Sequence, residues 1–231
     1  MFKIFNASVT GNSHMIRDIS NQDAVFSDVR SGVTFISLAD GAGSLKGAGI
    51  CAETVVREVS CTIADNFPSL LAMDSDQTAS EIGKYITGCM EELSHTTGLP
   101  PEQLGSTYLF AGSDGKNFLI VHLGDGAILG KTFSGTNGII SVPEGSEDGK
   151  ATFLTCSANL ANHIRVTRAD YKDYCEIILI SDGMHNAAFD KDFISRYDFG
   201  SSYKQLLDMA IMDINADDSS YIMMRSSING K

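Results

Sequence analysis

Asp40 closes the run Ile-Ser-Leu-Ala, Asp125 closes Val-His-Leu-Gly, and Asp182 closes Ile-Leu-Ile-Ser. Asp217 stands just ahead of Ser-Ser-Tyr-Ile-Met-Met. Each aspartate falls where a short apolar run meets a turn, and the first three are followed directly by glycine. Such runs read as buried strands, and strand ends hold side chains more firmly than loops do. If the ends converge, four carboxylates share one site. A cluster of that kind repels itself unless cations neutralise it, and hard divalent ions with oxygen ligands, Mg²⁺ or Mn²⁺, are its match. Asp-Gly is also a common turn dipeptide, so spacing alone leaves both readings open.

The segments between these aspartates indicate the fold class. Phe2 to Val9, Ala24 to Val29 and Val33 to Ala39 read as strands. Ala48, Ala52, Val55, Val56, Val59 and Ile63 recur at helical spacing. The polar stretch from Pro68 to Asp76 breaks that helix, and Ile82, Ile86, Cys89, Met90 and Leu93 share a face of the next, which ends at Gly98. Strand patterns follow at Ser106 to Ala111, Phe118 to Leu123, Ala127 to Phe133, Gly138 to Val142 and Ala151 to Thr155. Residues 157–174 lack a clear period and read as a flap with a short helix. Cys175 to Ser181 is a buried strand, Leu206 to Ile214 a helix, and Ser219 to Arg225 the last strand. Strands interrupted by helix pairs point to α+β layering rather than a doubly wound parallel sheet. With no linker in view, residues 1–231 are expected to form one domain. Met209, Met212, Met223 and Met224 are expected to pack in the core.

Composition excludes several function classes. The formal net charge is −12, without the basic footprint of a nucleic-acid binder and repelled by anionic membranes. Phe118 to Val121 and Ile177 to Ile180 are far shorter than the ~20 residues of a membrane span. The N-terminal stretch lacks a signal peptide's apolar region and cleavage site. The five cysteines are irregularly spaced without Cys-x-x-Cys, and are expected to be reduced and mostly buried in a cytoplasmic protein.

An ordered series of short motifs narrows the reading further: Asn21-Gln22-Asp23-Ala24, Ala39-Asp40-Gly41-Ala42-Gly43, Gly105-Ser106-Thr107, Gly124-Asp125-Gly126, Ser181-Asp182-Gly183 and Asp217-Asp218-Ser219-Ser220. With Ser13-His14 ahead of it, the series resembles the metal-dependent protein phosphatase 2C family, in its compact bacterial branch. The resemblance implies an αββα four-layer sandwich, with two antiparallel sheets face to face and helix pairs outside. It also implies a phosphoserine and phosphothreonine phosphatase with a binuclear Mn²⁺ or Mg²⁺ centre. Asp40 matches the bridging ligand, Gly41 the residue whose carbonyl binds one metal, and Asp182 and Asp217 the ligands of the other. Asp23 matches the acid beside the metal-activated water, and Asp125 the aspartate that, with Asp182, holds a weaker third metal. A phosphoprotein substrate, an opposing Ser/Thr kinase and a monomer are expected in consequence.

The sequence also departs from that pattern. Gln22 stands where many members have Glu, and Ala42 where some carry a histidine suggested as general acid. Metal-bound water, His14 or His185 could serve instead; for His14 a structural hydrogen bond is the alternative, and His185 is expected on a surface turn. Asp18 occupies the position of the usual phosphate-binding arginine, which leaves neighbouring Arg17 as the candidate clamp or else a solvated loop cation. Gly-Asp-Gly-Ala replaces the commoner Gly-Asp-Ser-Arg around Asp125, so no arginine supports a third metal. Asp218 is expected to cap a turn. Asp74, Asp76, Asp170 and Asp173 are expected to be solvated loop acids, and His95, His122 and His163 ordinary. A catalytically silent pseudophosphatase that binds a partner is the rival reading.

Overall fold

The computed structural model describes residues 1–145, 152–197, 200, 202–213 and 216–227. Ten strands form two antiparallel sheets among these residues. The first sheet runs β1 (Phe2–Val9), β10 (Ser219–Ser226), β9 (Glu176–Ile180), β6 (Ala127–Lys131) and β7 (Asn137–Ser141). The second runs β2 (Asp23–Arg30), β3 (Val33–Asp40), β4 (Tyr108–Ser113), β5 (Asn117–Leu123) and β8 (Arg165–Asp170). The β2–β3 hairpin closes on Ser31 and Gly32, both at positive φ, as a two-residue turn compatible with strand twist requires.

Alternation along the central strands builds three apolar layers. Ile36, Leu38, Leu109 and Ile120 of the second sheet meet Ile128, Ile177, Leu179 and Ile222 of the first between the sheets. The intervening residues Val33, Phe35, Phe110 and Val121 face a helical layer formed by α2 (Ala48–Thr54), α3 (Ser60–Asp65), α4 (Phe67–Ala72) and α5 (Ser75–Thr97). On the far side, Leu129, Ile178 and Ile180 face α6 (Asp182–Ala188) and α7 (Tyr203–Ala210). Burial on both faces is why β5 and β9 read as continuous apolar runs. Each large side chain so buried stabilises the fold by roughly 1.5–3 kcal/mol. The αββα arrangement is thus the one expected.

The helices show how local chemistry shapes the layers. Between α2 and α3 the chain keeps helical geometry but widens into a π turn at Val55–Val59. The buried Ser37 hydroxyl donates to the Val56 carbonyl at 2.9 Å, supplying a partner where the α-helical ladder is interrupted. Asp74 and Gln77 form a capping box at the start of α5, and Gly98 ends the helix in left-handed geometry.

Several expectations are corrected. Asp74 is a helix cap, not a loop acid, and Asp76 lies in the first turn of α5. The stretch after Pro68 holds α4, with proline in its first turn, where its missing N–H costs nothing. Within 157–174, β8 forms the edge of the second sheet; its two arginines and terminal aspartate hide the apolar alternation. Thr152 to Thr155 is not a strand: Thr152 makes one bridge with Gly145, and Ala151 lies outside the described residues. α6 begins at Asp182 itself. Met223 and Met224 are core residues, but Met209 and Met212 are exposed, because α7 turns its other face inward. Ile214 lies outside the described residues. Among the cysteines, all free, only Cys51 is fully buried.

His122 is more than ordinary. It is buried at the end of β5, with Nε2 3.0 Å from the Gly124 carbonyl and Nδ1 2.8 Å from the Ser141 hydroxyl. A carbonyl only accepts, so Nε2 carries the proton and Nδ1 accepts from Ser141. The neutral imidazole thereby pins the turn that presents Asp125. Burial, aided by the nearby Arg165 charge, pushes its pKa down from 6.5 to about 3. The unfolded chain therefore takes up a proton that the fold refuses, so this residue makes stability fall as pH drops below 6.5 toward 3. Thermal melts of wild type and His122→Gln across that window should converge on acidification, with wild type the more stable at neutral pH. A constant offset would refute the assignment.

Candidate active site

The site lies where the ends of both sheets meet. Strand pairing sets Asp23 of β2 directly opposite Asp40 of β3, which places two carboxylates on one face of the sheet. The Asp40 amide donates to Thr107 Oγ1 at 2.9 Å, and the Thr107 amide donates back to the Asp40 carbonyl at 2.8 Å. The following residues are clamped as well: the Gly41 amide donates to the Gln22 carbonyl and the Ala42 amide to the Gly105 carbonyl. The Gly105-Ser106-Thr107 motif is thus the fixture that immobilises Asp40.

The other sheet contributes Asp125, Asp182 and Asp217. Asp125 sits in the β5–β6 turn, and its Oδ2 accepts a hydrogen bond from the Thr152 hydroxyl. Asp182 opens α6, and Asp217 precedes β10. Two glycines permit the backbones to close here. A Cβ on Gly11 would lie 2.2 Å from the Asp217 carbonyl carbon, and one on Gly183 would lie 2.0 Å from the Asp218 oxygen. Any side chain at either position forces the turn apart.

These residues enclose a cleft of about 630 Å³. Asp40, Gly41, Asp125, Asp182 and Asp217 line it, together with His14 and Arg17. Asp23 does not line the opening; both its carboxylate oxygens are buried beside Asp40. Its burial raises its pKa to about 7, helped by the Asp218 and Asp182 charges and opposed by the neighbouring Ser220 and Ser181 hydroxyls. Those hydroxyls make no hydrogen bond of good geometry to it. Burial likewise raises Asp40, on which Asp23, Asp182 and Asp125 all press with like charge. Asp182 is raised by burial and by Asp125 and Asp217, and relieved by a hydrogen bond with Asp40. Protein alone therefore leaves these groups competing for protons.

The remaining candidates take distinct places. His14 is buried, and its Nδ1 lies 2.9 Å from Asp218 Oδ2. That aspartate also accepts from the Gly11 amide at 2.7 Å and the Gln22 amide at 2.6 Å. Asp218 is not a cap of its own turn but a buried acceptor for two distant segments, while His14 both makes the structural hydrogen bond and lines the cleft. Arg17 is exposed at the cleft, its Nε donating to the Ser13 carbonyl at 2.9 Å. His185 is corrected: it lies in α6, half-buried, with its ring 4.4 Å from that of Phe193, and is absent from the cleft lining. Thr107 and Thr152 are the site residues that sequence reasoning passed over. Thr107 carried a signal in its motif, whereas Thr152 reaches Asp125 from a segment without pattern.

Among the described residues no group of three or more His, Cys, Asp or Glu side chains is gathered closely enough to hold a metal ion as placed, although the chemistry of the cleft is that of hard oxygen donors. Four aspartates and one arginine line the cleft among the described residues. Asp182 Oδ1 and both Asp23 oxygens are buried without a hydrogen-bond partner, the condition in which carboxylates bind hard cations rather than remain apart. No helix among the described residues is long and apolar enough to cross a membrane.

Comparison with known proteins bears on the same arrangement. A bacterial serine phosphatase superposes with TM-score 0.69 at 15% identity, covering 97% of this chain and 98% of that one. A serine/threonine phosphatase from Staphylococcus aureus gives 0.68 at 15%, covering 99% and 96%. PppA, a key regulatory component of T6SS in Pseudomonas aeruginosa, gives 0.63 at 16%, covering 97% of each. At such identities the likeness is one of fold. No curated protein sequence matches the chain. The family model described as protein phosphatase 2C matches residues 10–216, the span that holds every aspartate of the cleft except Asp217. The chain belongs to the protein phosphatase 2C family.

Proposed function

We propose that this chain is a metal-dependent phosphatase of phosphoserine and phosphothreonine in proteins, folded as one domain. The convergence of Asp40, Asp125, Asp182 and Asp217 on one cleft, with Asp23 buried behind them, carries the reading. Asp40, the Gly41 carbonyl, Asp182 and Asp217 would hold two Mn²⁺ or Mg²⁺ ions. Asp125 and Asp182 would hold a weaker third. Such ions, when bound, make water acidic enough to supply a nucleophile near neutral pH and offset negative charge on the phosphoryl oxygens.

The chain's own residues do the rest. Thr107 fixes the Asp40 backbone from both sides, so the carboxylate keeps its position when phosphate arrives. Asp23, buried directly opposite Asp40 and behind the cleft aspartates, would hydrogen-bond the attacking water. Asp218 holds His14 Nδ1, and His14, which lines the cleft, would when doubly protonated give its Nε2 proton to the departing seryl or threonyl oxygen. Arg17 is anchored to Ser13 at the mouth, where its guanidinium binds phosphoryl oxygens.

Initial-rate hydrolysis of p-nitrophenyl phosphate and of phosphothreonine peptides tests this. Turnover should require Mn²⁺ or Mg²⁺, vanish with EDTA, and drop by roughly a hundredfold or more in Asp40→Ala and Asp182→Ala. Wild-type rates in either variant would refute the site; micromolar metal binding with no turnover on any phosphoester would establish the silent binding module instead.

The same cluster makes a stability prediction. Asp23, Asp40 and Asp182 have folded-state pKa values above the unfolded 3.8. Their protonation therefore stabilises the metal-free fold at low pH, and that contribution is lost as pH rises, for Asp23 through about 7. Asp40→Asn should melt higher than wild type without metal. Mn²⁺ at about a hundred times its Kd should add roughly 2.7 kcal/mol to wild type, or about 5–10 °C in Tm, with little gain in the variant. Calorimetry with and without Mn²⁺ checks both signs.

A further inference from the structure

Beside the cleft lies a second, smaller cavity of about 250 Å³ that no step above uses. Its walls include Val9 from the end of β1, Met15 from the short helix α1 (Asn12–Ile16), and Ile211 and Met212 from the end of α7. Three of these are large apolar side chains left in water: Val9 is 44% exposed, Met15 56% and Met212 82%. Single exposed apolar residues are ordinary, but several from separate segments gathered around one concavity mark a binding surface. Two are methionines, whose flexible thioethers adapt to varied apolar partners.

The cavity adjoins the catalytic cleft, with Asp217 in the lining of both. The two walls are also tied together: the Ser13 amide, at the start of α1, donates to the Ala216 carbonyl at 3.0 Å. A chain with its phosphorylated residue at the aspartate cluster therefore passes the cavity with a neighbouring side chain. Asp213 lines the cavity too, and the net charge of the protein is −12. A phosphate approaching this surface is repelled unless its own segment carries positive charge.

We propose that this cavity is a substrate subsite for an apolar side chain close in sequence to the phosphorylated residue, in a segment with basic flanks. The proposal rests on the phosphatase reading and names its substrate class. The small ester reaches the aspartate cluster alone, whereas a phosphopeptide spans both cavities, so the two are separable in one experiment.

Phosphothreonine peptides with lysine flanks, in which one leucine is moved stepwise through a glycine-serine background, should show a preferred position. There kcat/KM should exceed that of the leucine-free peptide by about tenfold, the scale on which an apolar pocket discriminates. Met15→Glu and Met212→Glu change exposed side chains and should fold normally. In both, the ratio of leucine-peptide to p-nitrophenyl phosphate kcat/KM should fall about tenfold through KM. Leucine without effect at every position overturns the subsite while p-nitrophenyl phosphate turnover still upholds the phosphatase. Loss of metal-dependent turnover on both substrates in wild type overturns the reading beneath it as well. A wild-type dimer in sedimentation that Met212→Glu dissociates, with leucine preference unchanged, assigns the surface to a second copy and overturns the subsite.

Discussion

One buried carboxylate holds the two sheets in register at the end where the cleft forms. Asp218, 2% exposed, accepts from the Gly11 amide, the Gln22 amide and His14 Nδ1. Burying a charge is costly unless it is fully hydrogen-bonded, and three donors from two segments meet that condition. Those segments follow β1 and precede β2, and Asp218 itself precedes β10, so the bonds link one sheet to the other. Gly11 and Gly183 let the chain close to backbone contact around it. Asp217 is positioned against this node directly, and Asp40 through the Gln22–Gly41 hydrogen bond.

The cleft carboxylates are the opposite case. Asp218 is surrounded by donors, whereas Asp23, Asp40 and Asp182 are shifted first by burial and then by the other carboxylates around them. A sequence selected for stability alone has no use for aspartates paired across β2 and β3, since like charges facing each other weaken a sheet. The apolar layers on both faces of the sheets supply the stability that lets this local conflict persist. Conflicts of this sort between local rule and global fold collect at functional sites.

How much of this was legible in the sequence follows from what each residue depends on. The strands of the central layers were readable because they are buried on both faces, so that Ile177 to Ile180 is apolar without interruption. α5 was readable from its stripe and its Gly98 stop. β8 was not, because an edge strand whose partly buried positions include Arg165 and Arg168 follows no apolar period. The start of α6 was masked by Asp182-Gly183, which read as a turn; its glycine serves instead to admit the Asp218 backbone. The exposure of Met209 and Met212 depends on which face α7 turns inward, a tertiary fact that spacing does not contain. The aspartates themselves were visible because strand-end positions are local. Thr152 was not, since it meets Asp125 only through long-range chain tracing.

The departures from the common family pattern take on a different meaning once they are placed in three dimensions. Gln22 removes a negative charge relative to glutamate, and its Oε1 is buried near His14 Nε2, both lying within 3.5 Å of the point where a Gly43 Cβ would stand. A glutamate there would add a charge beside the buried Asp218. At Asp125 the usual arginine is gone, and the neutral Thr152 hydroxyl donates in its place, which removes a positive charge. These two changes oppose each other in charge, and Asp18, standing where the common pattern has an arginine, adds a further negative one beside Arg17.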